Sequence, residues 1–158
     1  MHGRFESRHP LVGLSDELIR LNGRLKSLFG NARRNAGLGE SELTVLNSVV
    51  EAEHLPTVSQ IGRSIGHPRQ QIQRAANALV EAGLIETTPN PDHRRAVLLR
   101  ATERGIAVKR EVDARADETA EAVWAASQND GMREATDALR AIRQKLEAQL
   151  RNADNGRT

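Results

Sequence analysis

Arg94 and Arg95 stand side by side in NPDHRRAVLLRATERG, residues 90–105. Neighbouring guanidiniums present forks of donors that match phosphate oxygens. Turn residues precede the pair and a short apolar run follows it, which predicts a hairpin with the arginines near its tip. A second polar group lies upstream. Arg69, Gln70, Gln71, Gln73, Arg74 and Asn77 alternate with Ile72, Ala76 and Leu79 at helical spacing, so they share the outer face of one helix. Arginine can bind phosphate or guanine, and a glutamine amide offers paired donor and acceptor to adenine. Gln71 is expected to set base preference, and Arg95 to grip backbone on any sequence. Taken alone, three glutamines mean a solvated face and an arginine pair means a surface loop. The surrounding elements decide between these readings.

Catalytic constellations are missing. The sequence has no phosphate-cradling glycine loop, no Ser/His/Asp arrangement and no cysteine nucleophile. The five histidines are scattered. Glu51, Glu53 and His54 form the only metal-like cluster, at a helix end where such residues ordinarily face water. No enzyme activity, metal or cofactor is expected. The absence of cysteine also excludes a disulfide framework, a zinc ribbon and thiol redox sensing in this chain.

The elements that must position these residues follow from the apolar pattern. Residues 1–10 are polar and read as a flexible arm. Leu11, Leu14, Leu18, Leu21, Leu25 and Leu28 recur in steps of three and four, which predicts a helix over 15–34 with an open start. The glycines at 37 and 39 break it. A helix over 40–53 buries Leu43, Leu46, Val49 and Val50. TVSQ at 57–60 is a capping box for a short helix with Val58, Ile61 and Ile65 inward, closed by Gly66. Pro68 opens the next helix, 68–82, which Gly83 ends. Residues 84–88 alternate as a strand, 89–92 turn, and 96–101 return. Thr102 starts a helix running to 127, and 132–151 form the last, with Leu139, Ile142, Leu146 and Leu150 on one side. Two short helices joined by a glycine turn, then a hairpin, make a winged helix-turn-helix. The fold is mainly α with a small β-hairpin wing.

Bulk properties agree. The 158 residues suffice for one cored domain. Aromatics are 2% with no tyrosine, which removes the stacking platform of single-strand binders. The formal charge is +2, but residues 61–110 carry nine basic against four acidic side chains, and 62–80 contain no acid. That is the footprint of a nucleic-acid surface. No apolar run is long enough to span a membrane and the N-terminus lacks an apolar signal core, so a cytoplasmic location without a membrane partner is expected.

From Leu43 to Gly105 the sequence resembles MarR-type transcriptional regulators. The run TVSQIGRSIGHPRQQIQRAANALVEAGLIETTPNPDHRRAVLLRATERG keeps that family's order without a gap: helix, Gly, recognition helix, G-L-I, Asp-containing turn, Arg, then V-x-L-x-x-T-x-x-G. The resemblance implies a sequence-specific regulator of double-stranded DNA, a homodimeric repressor on a pseudo-palindrome, released by a small-molecule effector. Residues 37–105 would be the DNA-binding domain. Residues 11–36 with 106–152 would be the helical dimerisation region, and 153–158 a frayed tail. Leu11, Leu14, Leu18, Leu21, Leu139, Ile142, Leu146 and Leu150 would bury against the second subunit, with half-sites on the order of 34 Å apart. Leu28, Phe29, Leu46, Val50 and Trp124 are the candidate effector pocket, although Trp124 fits the core better.

Two departures from the family pattern bear on the interface. The family's wing carries an Asp two residues before its arginine. Here His93 holds that place before Arg95, and Asp92 comes one residue early. Pro68 stands where a capping Asp is common, which leaves the helix N–H groups to His67 or water. His93, Arg94 and Arg95 complete the expected DNA contacts. The competing reading is a winged-helix module that binds DNA nonspecifically or serves as a protein adaptor.

Overall fold

A proline fixes the start of the first helix. Pro10 lacks the N–H that a first-turn residue would leave unpaired, and the Leu11 N–H finds His9 Nδ1 at 3.2 Å. The structure is a computed structural model describing residues 9–34, 36–124 and 131–155. Helix α1 spans Pro10–Arg34, five residues longer at its start than the leucine pattern predicts. The predicted arm therefore ends before Pro10, and residues 1–8 lie outside the described part. After the break at Gly37 and Gly39 comes α2, Glu40–Val50, opened by the Glu42 carboxylate accepting the Gly39 N–H at 2.9 Å. It stops three residues short of expectation.

Helix α3, Val58–Ile65, has the predicted capping box: Thr57 Oγ1 accepts from the Gln60 N–H at 3.2 Å, and Gln60 Oε1 accepts from the Thr57 N–H at 2.7 Å. Gly66 ends the helix with φ +69°, a left-handed conformation that suits a residue without Cβ. Helix α4 covers Arg69–Glu81. Pro68 is its N-cap rather than its first residue, since the Pro68 carbonyl accepts from the N–H groups of Gln71 and Ile72.

Strands β1, Ile85–Thr88, and β2, Leu98–Ala101, pair antiparallel with Ile85 opposite Ala101 and Thr88 opposite Leu98. The return strand is two residues shorter than predicted, because the Ala96 N–H turns back to the His93 carbonyl at 3.1 Å instead of joining a ladder. From within β2, the Leu99 N–H donates to the Pro56 carbonyl at 2.8 Å, fastening the wing to the segment before α3. Helix α5, Glu103–Trp124, follows directly. Its predicted continuation to 127 lies outside the described residues. Helix α6, Met132–Asn155, absorbs 153–155 of the predicted frayed tail, and 156–158 lie outside the described part.

One core joins α2, α3, α4 and the wing. Val45, Leu46, Val49, Ile61, Ile72, Ala76, Leu79, Ile85 and Leu99 are all buried within it. Val45 is fully buried and was absent from the expected set, whereas Val50 packs only partly. The join to α5 is close. A Cβ on Gly105 would stand 2.0 Å from the Leu84 carbonyl oxygen, so only glycine lets α5 cross the start of β1 there. Thr102 locks that crossing: its N–H and Oγ1 both donate to Leu84 O, and Oγ1 accepts from the Gly105 N–H at 3.1 Å.

Candidate nucleic-acid interface

Helix α4 buries Ile72, Ala75, Ala76 and Leu79 and turns the opposite face to solvent. Arg69, Gln70, Gln73, Arg74 and Asn77 are exposed there, as the sequence predicted. Gln71 departs from the expectation. It is half-buried, and its Nε2 donates to Ser41 Oγ at 2.9 Å. At one residue before Ile72 it points sideways toward α2, not outward, because a 100° step per residue separates it from the centre of the polar face.

The remaining side chains are preorganised unequally. Gln73 Nε2 donates to Asn77 Oδ1 at 2.9 Å, and Arg74 Nε donates to the Gln70 carbonyl at 3.4 Å. No side chain caps the helix start. His67, expected as a substitute cap, instead places Nδ1 2.9 Å from the Ile65 carbonyl behind it. The first N–H groups of α4 therefore stay available to an anion's oxygen.

The wing loop, 89–97, carries Asp92, His93, Arg94 and Arg95, all exposed. Asn90 shapes its entry, with Oδ1 accepting from the Asp92 N–H at 3.0 Å. Among the described residues no ion pair ties Asp92 to Arg94 or Arg95. Arg69 from α4, Arg63 and Gln60 from α3, and His93 and Arg95 from the wing line one cleft, together with Asp92, Glu53 and His54. Sequence reasoning missed Gln60, Arg63 and His54 here. Arg63 lies three residues after Gln60 on the solvent side of a helix whose inward residues were identified, so its outward direction was available from the periodicity.

The basic excess of residues 61–110 divides into two parts. Arg100 faces Glu86 across the strands at 4.0 Å, Arg104 donates to the Ala82 carbonyl at the end of α4, and Lys109 is buried against Glu51 and Asp113. Those three groups serve the fold. Among the described residues no ion pair engages Arg63, Arg69, Arg74, Arg94 or Arg95. Arg110 on α5 is likewise exposed without an ion pair, so five of the six unneutralised groups lie on α3, α4 and the wing.

The metal-like cluster separates. Glu51 turns to Lys109 Nζ at 3.2 Å, while Glu53 and His54 face the wing cleft. Among the described residues no group of three or more acids and histidines is placed to hold a metal ion. Lys109 itself was not foreseen. Burial lowers its pKa, but hydrogen bonds and charge from Asp113 and Glu51 outweigh that and raise it overall.

The helices outside the winged unit present apolar surface. Leu11, Leu14 and Leu18 of α1 meet Leu139, Ile142, Leu146 and Leu150 of α6 around one cleft floored by the end of α3. Leu21 is exposed on α1 without lining it. The candidate effector residues differ in burial. Leu46 is fully buried in the winged core, Leu28, Phe29 and Val50 are half-buried, and Trp124 is 43% exposed rather than in the core. Among the described residues no helix is long and apolar enough to cross a membrane.

Helix, turn, exposed second helix and arginine-bearing hairpin define a winged helix-turn-helix flanked by long helices. Comparison with known proteins agrees. The MarR family model matches residues 36–96. Uncharacterised proteins of Mycobacterium bovis and Mycobacterium tuberculosis are 37% identical over 108 residues, covering 65% of this chain and 76% of theirs. The structure of a MarR-family transcriptional regulator from Rhodococcus sp. RHA1 superposes with a TM-score of 0.73 at 23% identity, over 87% of this chain and 96% of that one. CouR from Rhodococcus jostii RHA1, solved with p-coumaroyl-CoA bound, gives 0.69 at 24% identity, over 82% and 91%. This chain belongs to the MarR family, whose members are transcription regulators and not enzymes.

Proposed function

We propose that this regulator is a homodimeric repressor that reads a pseudo-palindromic operator in double-stranded DNA. The observation that carries the reading is the shared cleft: Arg69 of α4 and His93 and Arg95 of the wing line one basic surface beside the exposed polar face of α4. A helix of this width enters the major groove with its N-terminal residues toward base edges. Arg69, Gln70, Gln73, Arg74 and Asn77 then face bases or flanking phosphates. Arg94 and Arg95 reach the adjacent minor groove, whose narrow A·T tracts concentrate negative potential. Gln71 braces the helix from the side, against Ser41 of α2.

Residues 37–105 form the DNA-binding unit in this reading, and 11–36 with 106–152 form the dimerisation region. The exposed leucines of α1 and α6 support it. Leu146 and Leu150 are 41% and 66% exposed in the single chain, which favours burial by a second copy. Two-fold pairing sets the half-sites about one helical turn apart. CouR binds p-coumaroyl-CoA. A small-molecule effector that alters the spacing of the two α4 helices would release both half-sites together.

Selection of bound duplexes from a random pool at about 150 mM salt tests the reading. A pseudo-palindrome with half-sites one turn apart is the expected result. Measurable binding without any motif would leave only backbone contacts and hand the lead to a nonspecific or adaptor role.

A further inference from the structure

Gln73 and Asn77 stand one turn apart on the solvent face of α4, joined by the bond from Gln73 Nε2 to Asn77 Oδ1 at 2.9 Å. A lone glutamine reads adenine with both ends of its own amide. Gln73 is differently placed: one of its two Nε2 hydrogens goes to Asn77, which ties the orientation of one amide to the other. Both side chains are exposed, and among the described residues the Gln73 Oε1 acceptor and the Asn77 Nδ2 donor have no hydrogen-bond partner. Adenine shows the complementary pair in the major groove, an N6–H donor beside the N7 acceptor.

Resting on the reading of α4 as the major-groove helix, we propose that Gln73 and Asn77 read one A·T pair as a single unit. Gln73 Oε1 accepts from adenine N6, and Asn77 Nδ2 donates to N7. The bond between the two side chains fixes their torsions before DNA arrives, so less freedom is lost on binding. Neighbouring groups leave the unit undisturbed. Arg74 Nε is directed along its own helix to the Gln70 carbonyl. Among the described residues the Gln70 side chain makes no hydrogen bond, so it acts independently of the pair.

The test compares duplex selection by the full chain with that of Gln73→Ala, Asn77→Ala, the double variant and Gln70→Ala. Either single change is expected to erase adenine preference at the same base pair, by roughly 5- to 150-fold, the span of a good bidentate contact. The double variant is expected to lose no more than either single. Gln70→Ala is expected to leave that base pair alone. Single changes that relax different base pairs, or losses that multiply in the double variant, overturn the unit while operator reading stands. A wild-type chain that selects no motif overturns both.

Discussion

The side-chain amide of Gln71 lies 2.9 Å from Ser41 Oγ, linking α4 to the first turn of α2 across thirty residues of sequence. This bond holds the angle at which α4 leaves the core. Gln71→Ala is therefore expected to cost stability rather than change base preference, by about 1 kcal/mol for a part-buried hydrogen bond. Ser41→Ala should cost a similar amount, and the double variant little more than either. Urea unfolding of the three variants measures the coupling, and duplex selection with Gln71→Ala checks the specificity side. A changed motif in that variant would return Gln71 to the base-reading set.

The fold was largely legible because its signals are local. The TVSQ capping box, Gly66 and the spacing of Ile72, Ala76 and Leu79 each carry their own physics within a few residues. What stayed hidden depends on contacts distant in sequence. Nothing near Gln71 indicates Ser41, and nothing near Lys109 indicates Glu51. The wing arginines were legible as a turn, but the sharing of a cleft by Arg95 with Arg63 and Arg69 needs the tertiary placement of the hairpin beside α3. Residue type alone also did not separate the candidate effector residues by burial. Leu46 and Trp124 are both large and apolar in sequence, yet one is sealed in the core and the other faces solvent.

Arg95 has no ion-pair partner among the described residues, so its charge is unspent until a phosphate arrives. Arg95→Ala is expected to weaken binding to every duplex by a similar factor and leave the selected motif intact. The slope of log affinity against log salt should shrink by about 1. Titrations at several salt concentrations on cognate and scrambled duplexes measure this. Loss confined to the cognate duplex would mean that Arg95 reads bases.

Gly105 admits no side chain without moving backbone, since its Cβ would meet the Leu84 carbonyl oxygen at 2.0 Å. Gly105→Ala is expected to destabilise the protein by about 3 kcal/mol or more, the upper range for overpacking. Thr102→Val removes the cap and its bonds to Gly83 and Leu84, at about 1–2 kcal/mol. Thermal unfolding ranks the two. A Gly105→Ala variant as stable as wild type would show that α5 shifts freely on β1.

Leu146 tests the dimer. It is 41% exposed in the single chain, where a charge would be well solvated and change stability by roughly 0.5 kcal/mol at most. Leu146→Glu is therefore expected to split a two-chain particle into folded single chains and to lower operator affinity. Light scattering gives the mass of each. A wild-type mass of one chain, or a variant that keeps two, counts against an interface built on α6.

Lys109 is 7% exposed, while its partners Glu51 and Asp113 face solvent. The asymmetry predicts opposite outcomes from the two sides of the cluster. Lys109→Met removes the buried charge, keeps most of the packing and leaves two carboxylates that water can solvate, so it should stay within about 1 kcal/mol of wild type. Removing both carboxylates strands the ammonium. Glu51→Gln with Asp113→Asn is expected to cost about 2 kcal/mol, below the usual range for a broken buried pair because solvent screens both acids. The pH dependence has a fixed sign. The folded pKa of Lys109 is raised above its unfolded value, so its contribution is complete below about pH 10.4 and is lost as pH rises through the folded value. The stability gap between wild type and Lys109→Met, measured by urea unfolding from pH 7 upward, should move against wild type only in that alkaline range. A gap that moves between pH 6 and 8 would mean that another group carries the linkage.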